Sequence, residues 1–307
     1  MDTTHQPRLE LIEITKVYAN SLRAVDEVTL DLRPGIIGLL GPNGAGKSSL
    51  MRVMATVTRP TSGQVRFEGV DVLKNPDVLR TRLGYLPQDF GVYPHLTSRE
   101  FLTYLAAAKG LSARSARARI DELLELLNLT AALKRPLGKY SGGMMRRVGI
   151  AQALLGDPRV IVVDEPTAGL DPEERARFRD LLSELAATRI VVLSTHIVSD
   201  VESVASDIAI VTSGRLQRRG TVPELLEQAR GRVWEVLVEP GEVADLRSRY
   251  TVSRALRSSS GVQLRLLGDV APRDAVAVAP ELEDVYLDVT ARRCVAGPAP
   301  VTTPVSA

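Results

Sequence analysis

The chain is poor in several things that would each define a class of protein. Of its 307 residues only Cys294 is a cysteine, which rules out an intrachain disulfide framework. Aromatic residues make up 4%, with one tryptophan, and there are three histidines. Neither charge sign dominates: 39 Lys and Arg stand against 37 Asp and Glu, and the net +2 supplies no basic field for nucleic acid. The longest apolar runs, such as "IIGLL" and "VIVV", have the length of strands. A bilayer span needs roughly 18 such residues. The opening "MDTTHQPRLELIEITK" carries early charges of both signs and no apolar signal core, so a cytosolic chain is expected. No internal repeat is visible, which limits the chain to one copy of any unit it encodes.

What is present suits a soluble globular protein: 44% hydrophobic and 25% charged residues, and length for one large domain or two unequal ones. "LELIEITKVYA" and "VTLDLRPG" alternate as amphipathic strands, and "IIGLL" reads as a buried strand that runs into a glycine loop. A helix is expected from about Ser48 to Val57, then a hairpin in "GQVRFEGVDV" turning near Gly69. From Thr97 to Leu129 the apolar spacing becomes helical, with Ile120, Leu123, Leu124 and Leu127 on one face; Arg114, Arg117 and Arg119 read as its solvated side. "VIVVD" and "IVVLSTH" are unbroken apolar runs, the pattern of parallel strands covered on both faces. Between them "PEERARFRDLLSELA" is a helix with proline in its first turn. Strand, helix and strand at this spacing predict an α/β sheet. After about Arg230 the strands "RVWEVLVEP" and "GVQLRLLG" and the helix "ELEDVYLDVT" predict a small α+β appendage, and the Pro-, Ala- and Thr-rich close at 291–307 is expected to be disordered.

The chemistry concentrates in a few segments. "GPNGAGKSS", comprising Gly41, Pro42, Asn43, Gly44, Ala45, Gly46, Lys47, Ser48 and Ser49, fits G-x-x-x-x-G-K-[ST] between a strand and a helix. Backbone N–H groups freed by glycine would wrap phosphates, aided by the positive helix end. Lys47 would reach the β- and γ-phosphates and the Ser48 hydroxyl would ligate Mg²⁺. The chain has six lysines against 33 arginines, yet places lysine here, where a compact charge fits a tight loop. "VIVVDEP" ends its strand on Asp164 and Glu165, candidates for the Mg²⁺ shell and for the general base that polarises the attacking water. His196, ending "IVVLSTH", could bond the γ-phosphate and orient that water. Gln88 in "YLPQD" could touch Mg²⁺ and sense the γ-phosphate, and Tyr18 is a candidate for stacking on adenine. One feature is odd. "YSGGMMRRVGIAQAL" opens a good helix on Ser141, Gly142 and Gly143, which costs backbone entropy but leaves the first N–H groups bare.

Gly41–Ser49, Gln88, "SGG" at 141–143, "VIVVDEP", "GLD" at 169–171 and His196 together resemble the ATP-binding subunit of ABC transporters, over roughly residues 8–230. Ser141 precedes Asp164 by 23 positions and His196 follows it by 32. The resemblance implies a P-loop NTPase fold: a mixed, largely parallel sheet core, an N-terminal antiparallel β part and a helical subdomain at about 89–150, followed by the α+β domain at 231–290. It also implies ATP hydrolysis with ATP and Mg²⁺. Two subunits, here expected to be copies of one chain, would close head to tail. Ser141, Gly142 and Gly143 would then clamp the γ-phosphate held by the other subunit, and Asp171 would cross the interface. The family usually has glutamine where this chain has Met144, which leaves the contacts near the ribose open. "LEDVYLDVT" resembles the close of bacterial drug- or lipid-exporter subunits. That points to a peripheral subunit on the cytoplasmic face of the cell membrane, docking a separate polytopic membrane subunit near residues 91–105, with no nucleic-acid partner. An importer ATPase shares the same chemistry. A soluble ABC ATPase acting on ribosomes or DNA is disfavoured by the single unit and by the 94 positions between Lys47 and Ser141, too few for a coiled-coil arm.

Overall fold

Alternation in the N-terminal sequence gives two strands with one apolar face each. In Leu9–Val17 (β1) and Arg23–Leu32 (β2), residues Leu9, Leu11, Ile14, Val28, Leu30 and Leu32 point inward and are buried, while Glu27 and Thr29 are exposed. The computed structural model describes residues 6–167 and 170–291. Next come the buried strand Gly35–Leu40 (β3), helix Lys47–Met54 (α1), the hairpin Ser62–Phe67 (β4) and Val70–Asp71 (β5), the single turn Asp77–Arg80 (α2), and Leu83–Leu86 (β6). Helices Ser98–Ala108 (α3), Ala113–Leu126 (α4) and Gly142–Leu154 (α5) follow. The chain then re-enters the sheet through Val160–Asp164 (β7), Pro172–Ala186 (α6), Ile190–Thr195 (β8), Val198–Glu202 (α7), Asp207–Thr212 (β9) and Arg215–Gly220 (β10).

Two sheets result. The antiparallel one runs β2-β1-β4-β5 and the larger β10-β9-β3-β8-β7-β6, in which only β10 is antiparallel to its neighbour. Every residue of β7 and β8 is buried, as unbroken apolar runs require of strands covered on both sides. Helix α1 is held in one apolar cluster that spans both sheets. Its Leu50, Met51 and Met54 join Leu9, Leu11 and Phe67 from one sheet and Val160 and Val192 from the other.

Two helix limits differ from the sequence reading. The helical stretch from Thr97 to Leu129 is two helices: Gly110 turns left-handed at φ 74°, and Ser112 starts α4 afresh by accepting from the Ser115 N–H at 3.2 Å. The helix after the glycine loop stops at Met54 rather than Val57, and Thr56 is left-handed at φ 56°.

The chain divides into compact units at Thr221/Val222, so helix Val222–Glu227 (α8), which the sequence boundary near 230 put in the first unit, belongs to the second. There it is joined by Val233–Val238 (β11), Val243–Arg249 (α9), Thr251–Ser258 (β12), Gly261–Leu267 (β13), Val276–Ala277 (β14) and Leu282–Ala291 (α10). The strands form an antiparallel sheet in the order β12-β13-β11-β14. Arg265, only 6% exposed, ties β13 to α10 through Asp284 at 2.8 Å and to β11 through Glu235 at 3.1 Å. Ala291 ends α10; the rest of the segment expected to be disordered, 292–307 with Cys294, lies outside the described residues.

Candidate functional site

Parallel order brings the carboxyl ends of β3, β6, β7 and β8 to one edge of the sheet. A cavity of about 380 Å³ opens there, lined by Asn43 to Ser49, Gln88, Glu165 and His196, with Tyr18, Leu22 and Ala24 on the side of β1 and β2. Candidates from five separate sequence segments therefore share one wall.

The loop depends on glycine at specific points. Gly46 is left-handed at φ 100°, and a Cβ there would run into the Ala24 carbonyl oxygen. Gly44, at φ 79°, has nothing within 4 Å of where a Cβ would stand, so its backbone is open to the cavity. Lys47 is 6% exposed and curls the loop around itself, its Nζ donating to Gly41 O at 2.6 Å and Pro42 O at 3.1 Å. Burial pulls the Lys47 pKa below its ordinary value, against the opposing pull of the Glu165 and Asp164 carboxylates. The Tyr18 hydroxyl is 3.1 Å from Ser49 Oγ, and Lys16 Nζ lies 5.3 Å from the Tyr18 ring centroid.

Asp164 and Glu165 are both supported from β8. Asp164, 2% exposed, accepts a short hydrogen bond from Ser194 Oγ. Glu165 leaves β7 in the left-handed region at φ 50°, and its N–H donates to both the carbonyl and the hydroxyl oxygen of Ser194, each at 3.2 Å. A left-handed non-glycine residue costs about 1–2 kcal/mol; of the ten such residues among those described, Glu165 is the one that lines the cavity. The Glu165 carboxylate accepts from His196 Nδ1 at 2.9 Å, and since a carboxylate only accepts, that nitrogen carries the proton.

Ser141, Gly142, Gly143 and Asp171 do not line this cavity. Ser141 caps α5, its Oγ accepting from the Met144 N–H at 3.2 Å, which leaves its own O–H free to donate. Among the described residues a Cβ on Gly142 would meet nothing within 4 Å, so none of them requires glycine there. A Cβ on Gly143 would lie 2.5 Å from Glu174 Oε2, the end of a side chain paired with Arg147. Asp171 caps α6 by accepting from the Glu174 N–H at 2.8 Å; Gly169 of the same motif lies outside the described residues.

Among the described residues no group of three or more His, Cys, Asp or Glu could enclose a metal. Of the expected oxygen donors to a metal, the Ser48 hydroxyl and the Gln88 amide line the cavity, whereas Asp164 does not line it and is buried at the end of β7, bonded to Ser194. Such a sparse, hard set fits Mg²⁺, which fills its shell with phosphate and water. Two contributors escaped the sequence reading. Ser194 was signalled weakly, as a polar residue inside "IVVLSTH". Arg146 gave no signal: a basic residue on a helix reads as solvated, yet its guanidinium donates to the carbonyls of Asp164, Pro166, Pro87 and Gln88.

A glycine loop between strand and helix, its buried lysine, and an acidic pair at the same edge of the sheet define a nucleotide hydrolase of the P-loop class. Residues 25–168 match the family model described as ABC transporter. The daunorubicin/doxorubicin resistance ATP-binding protein DrrA of Streptomyces peucetius is 34% identical over 94% of this chain and 89% of its own. The bacitracin transport ATP-binding protein BcrA of Bacillus licheniformis is 37% identical over 68% of each. A solved ATP-binding cassette dimer in a post-hydrolysis state with ADP and Pi is 25% identical, with TM-score 0.64 over 69% of this chain and 98% of that one. The chain belongs to the ATP-binding subunits of ABC transporters, and it is an ATPase. Among the described residues no helix is long and apolar enough to cross a membrane.

Proposed function

We propose that the chain is the motor subunit of an exporter, working as a head-to-tail homodimer that opens and closes a separate polytopic membrane subunit from the cytoplasmic face. The observation that carries the dimer is Gly142: its bare helix start faces open space and takes no part in the cavity of its own chain. An anion brought by a second copy would meet free N–H groups, the Ser141 hydroxyl and the positive helix end. Asp171 then lies at the same seam and couples the two sites. Export is supported by the similarity to DrrA, a resistance protein by name, which runs through 94% of the chain.

Within the cavity, Lys47 and the loop N–H groups hold the β- and γ-phosphates and Tyr18 offers a ring face to adenine. Ser48, Gln88 and Asp164 hold Mg²⁺, which supplies charge neutralisation on the phosphate oxygens. Glu165 polarises the attacking water and takes its proton. His196, whose Nδ1 lies 2.9 Å from Glu165, bonds the γ-phosphate through Nε2. The membrane subunit docks near 91–105. Phe90, Tyr93, Phe101 and Tyr104 form an edge-to-face cluster there with centroids 5.7–6.3 Å apart, and Tyr93 and Tyr104 are 48% and 54% exposed. In a chain with 4% aromatics this is an unusual concentration at a surface.

The test is Glu165→Gln with saturating Mg-ATP, followed by light scattering. A stable dimer is expected, and a persistent monomer would sink the switch. Purification from detergent-solubilised membranes should bring down a polytopic protein in stoichiometric amount; recovery of ribosomal proteins or DNA instead would refute the transport role.

A further inference from the structure

We propose that Arg146 is a positioning residue that ties the seat of the Ser141–Gly143 helix start to Glu165 and Gln88 of the same chain. Its side chain leaves α5 five positions after Ser141 and fans over two loops at once. Nη2 donates to Asp164 O at 2.5 Å and Nε to Pro166 O at 3.1 Å, so the two carbonyls that flank Glu165 are both held. Nη1 donates to Pro87 O at 3.3 Å and Gln88 O at 3.1 Å, holding the loop that carries the other candidate. All four acceptors are backbone groups, so the clamp fixes where the chain runs and leaves the Glu165 and Gln88 side chains free for chemistry.

Glu165 shares its left-handed φ of 50° with Glu13, Glu27 and Glu68, so the turn alone does not aim its side chain; what sets it apart is that both flanking carbonyls are held by one guanidinium. The planar fork of a guanidinium can bridge carbonyls from separate loops, which a lysine ammonium cannot do in the same geometry. A helix turn is stiff, so a displacement of the bare N–H groups at Gly142 and Gly143 passes along α5 to Arg146 and from there to both loops. A phosphate seated on the helix start, belonging to the ATP of the other copy, is thereby linked to the general base of the copy that supplies the helix. The inference rests on the roles proposed above for Glu165 and Ser141.

The test uses the full chain with Arg146→Met, which keeps the apolar stem and removes every donor, and Arg146→Lys, which keeps the charge without the fork. Turnover at saturating Mg-ATP should fall roughly 10- to 100-fold in the Met variant, the scale of a misplaced catalytic group. Nucleotide Kd should stay within about threefold, and Lys should restore little. Combined with Glu165→Gln, the Met substitution should add only the part of its loss that runs through the Gln88 loop, well short of its full factor, since the part acting through Glu165 has nothing left to position. Wild-type turnover per folded molecule, or a loss that multiplies fully onto that of Glu165→Gln, would overturn the proposal. If the Met variant does not fold, the same comparisons are made with Lys. Near-wild-type turnover in Glu165→Gln alone defeats the assignment of the base itself, and this inference with it, in a measurement that leaves Arg146 untouched.

Discussion

Replacing Gly142 by alanine separates what this chain needs from what an incoming phosphate needs. The added methyl meets nothing within 4 Å, and Gly142 is not among the residues with positive φ. Alanine favours a helix interior over glycine by about 0.8–1.0 kcal/mol, with a smaller gain at a first position such as this one. The melting temperature of the full chain by calorimetry should therefore hold or rise slightly, by no more than about 2–4 °C. Function should move the other way. The methyl stands where a phosphate must approach bare N–H groups, and loss of such a donor costs on the order of 100-fold in rate. ATP turnover should fall at least about tenfold. Nucleotide affinity of the isolated chain should not change, because no residue of α5 lines the cavity. Wild-type turnover would show that no phosphate reaches this helix start. A loss of several degrees would show that the space around Gly142 is not open.

Gly46→Ala should be the opposite case, losing about 2–4 kcal/mol in urea unfolding together with nucleotide binding, because its methyl is driven into the Ala24 carbonyl at φ 100°. Asp26 joins β2 to β10, accepting from Arg23 at 2.6 Å and Arg215 at 2.5 Å. Burial raises its pKa but those bonds outweigh it, so the folded value lies below the ordinary one. That stability is present above the unfolded aspartate value of about 3.9 and is lost as pH falls through the lower folded value. Asp26→Asn should cost about 1–3 kcal/mol at neutral pH and flatten the acid side of the stability curve, read from urea midpoints; an unchanged acid slope would refute the clamp. Lys47 must be charged to hold phosphate, and burial lowers its pKa, so kcat/KM should fall with rising pH before the usual lysine value of about 10.4. An alkaline limb at or above that value would contradict the burial.

The parallel strands were legible because "VIVVD" and "IVVLSTH" are apolar at every position, a pattern with few homes outside a doubly covered sheet. The phosphate loop was legible through its spacing and flanks. The break between α3 and α4 was not read, although its physical signs were present in Gly110 and the cap at Ser112. Strand β12, "TVSRALRS", was missed for another reason. It is a sheet edge, and Arg254 and Arg257 interrupt any apolar face its alternation could show. Helix α9 buries only Leu246 and so carries no stripe. The start of α8 was readable at Pro223, but its membership in the second unit is a packing fact with no local signature.

Arginine explains most of what the sequence kept hidden near the site. Charge pairing can be guessed from sequence because a carboxylate has a letter. A backbone carbonyl has none, since every residue carries one. The arginines that shape this region donate to such carbonyls: Arg147 to Leu127 and Asn128, Arg119 to Leu154, Arg175 to Leu170, and Arg146 to four residues on two loops. Each guanidinium offers five donors in one plane, so a single side chain can fasten loops from different parts of the sequence. The preference for 33 arginines over six lysines is consistent with that use. The lysine kept at the cavity, Lys47, has a different task, which is to place one compact charge at the centre of one loop. A chain of near-zero net charge can thus hold arginines whose partners include main-chain dipoles as well as carboxylates, as Arg119 and Arg147 do. Neither charge counting nor periodicity would reveal the main-chain partners.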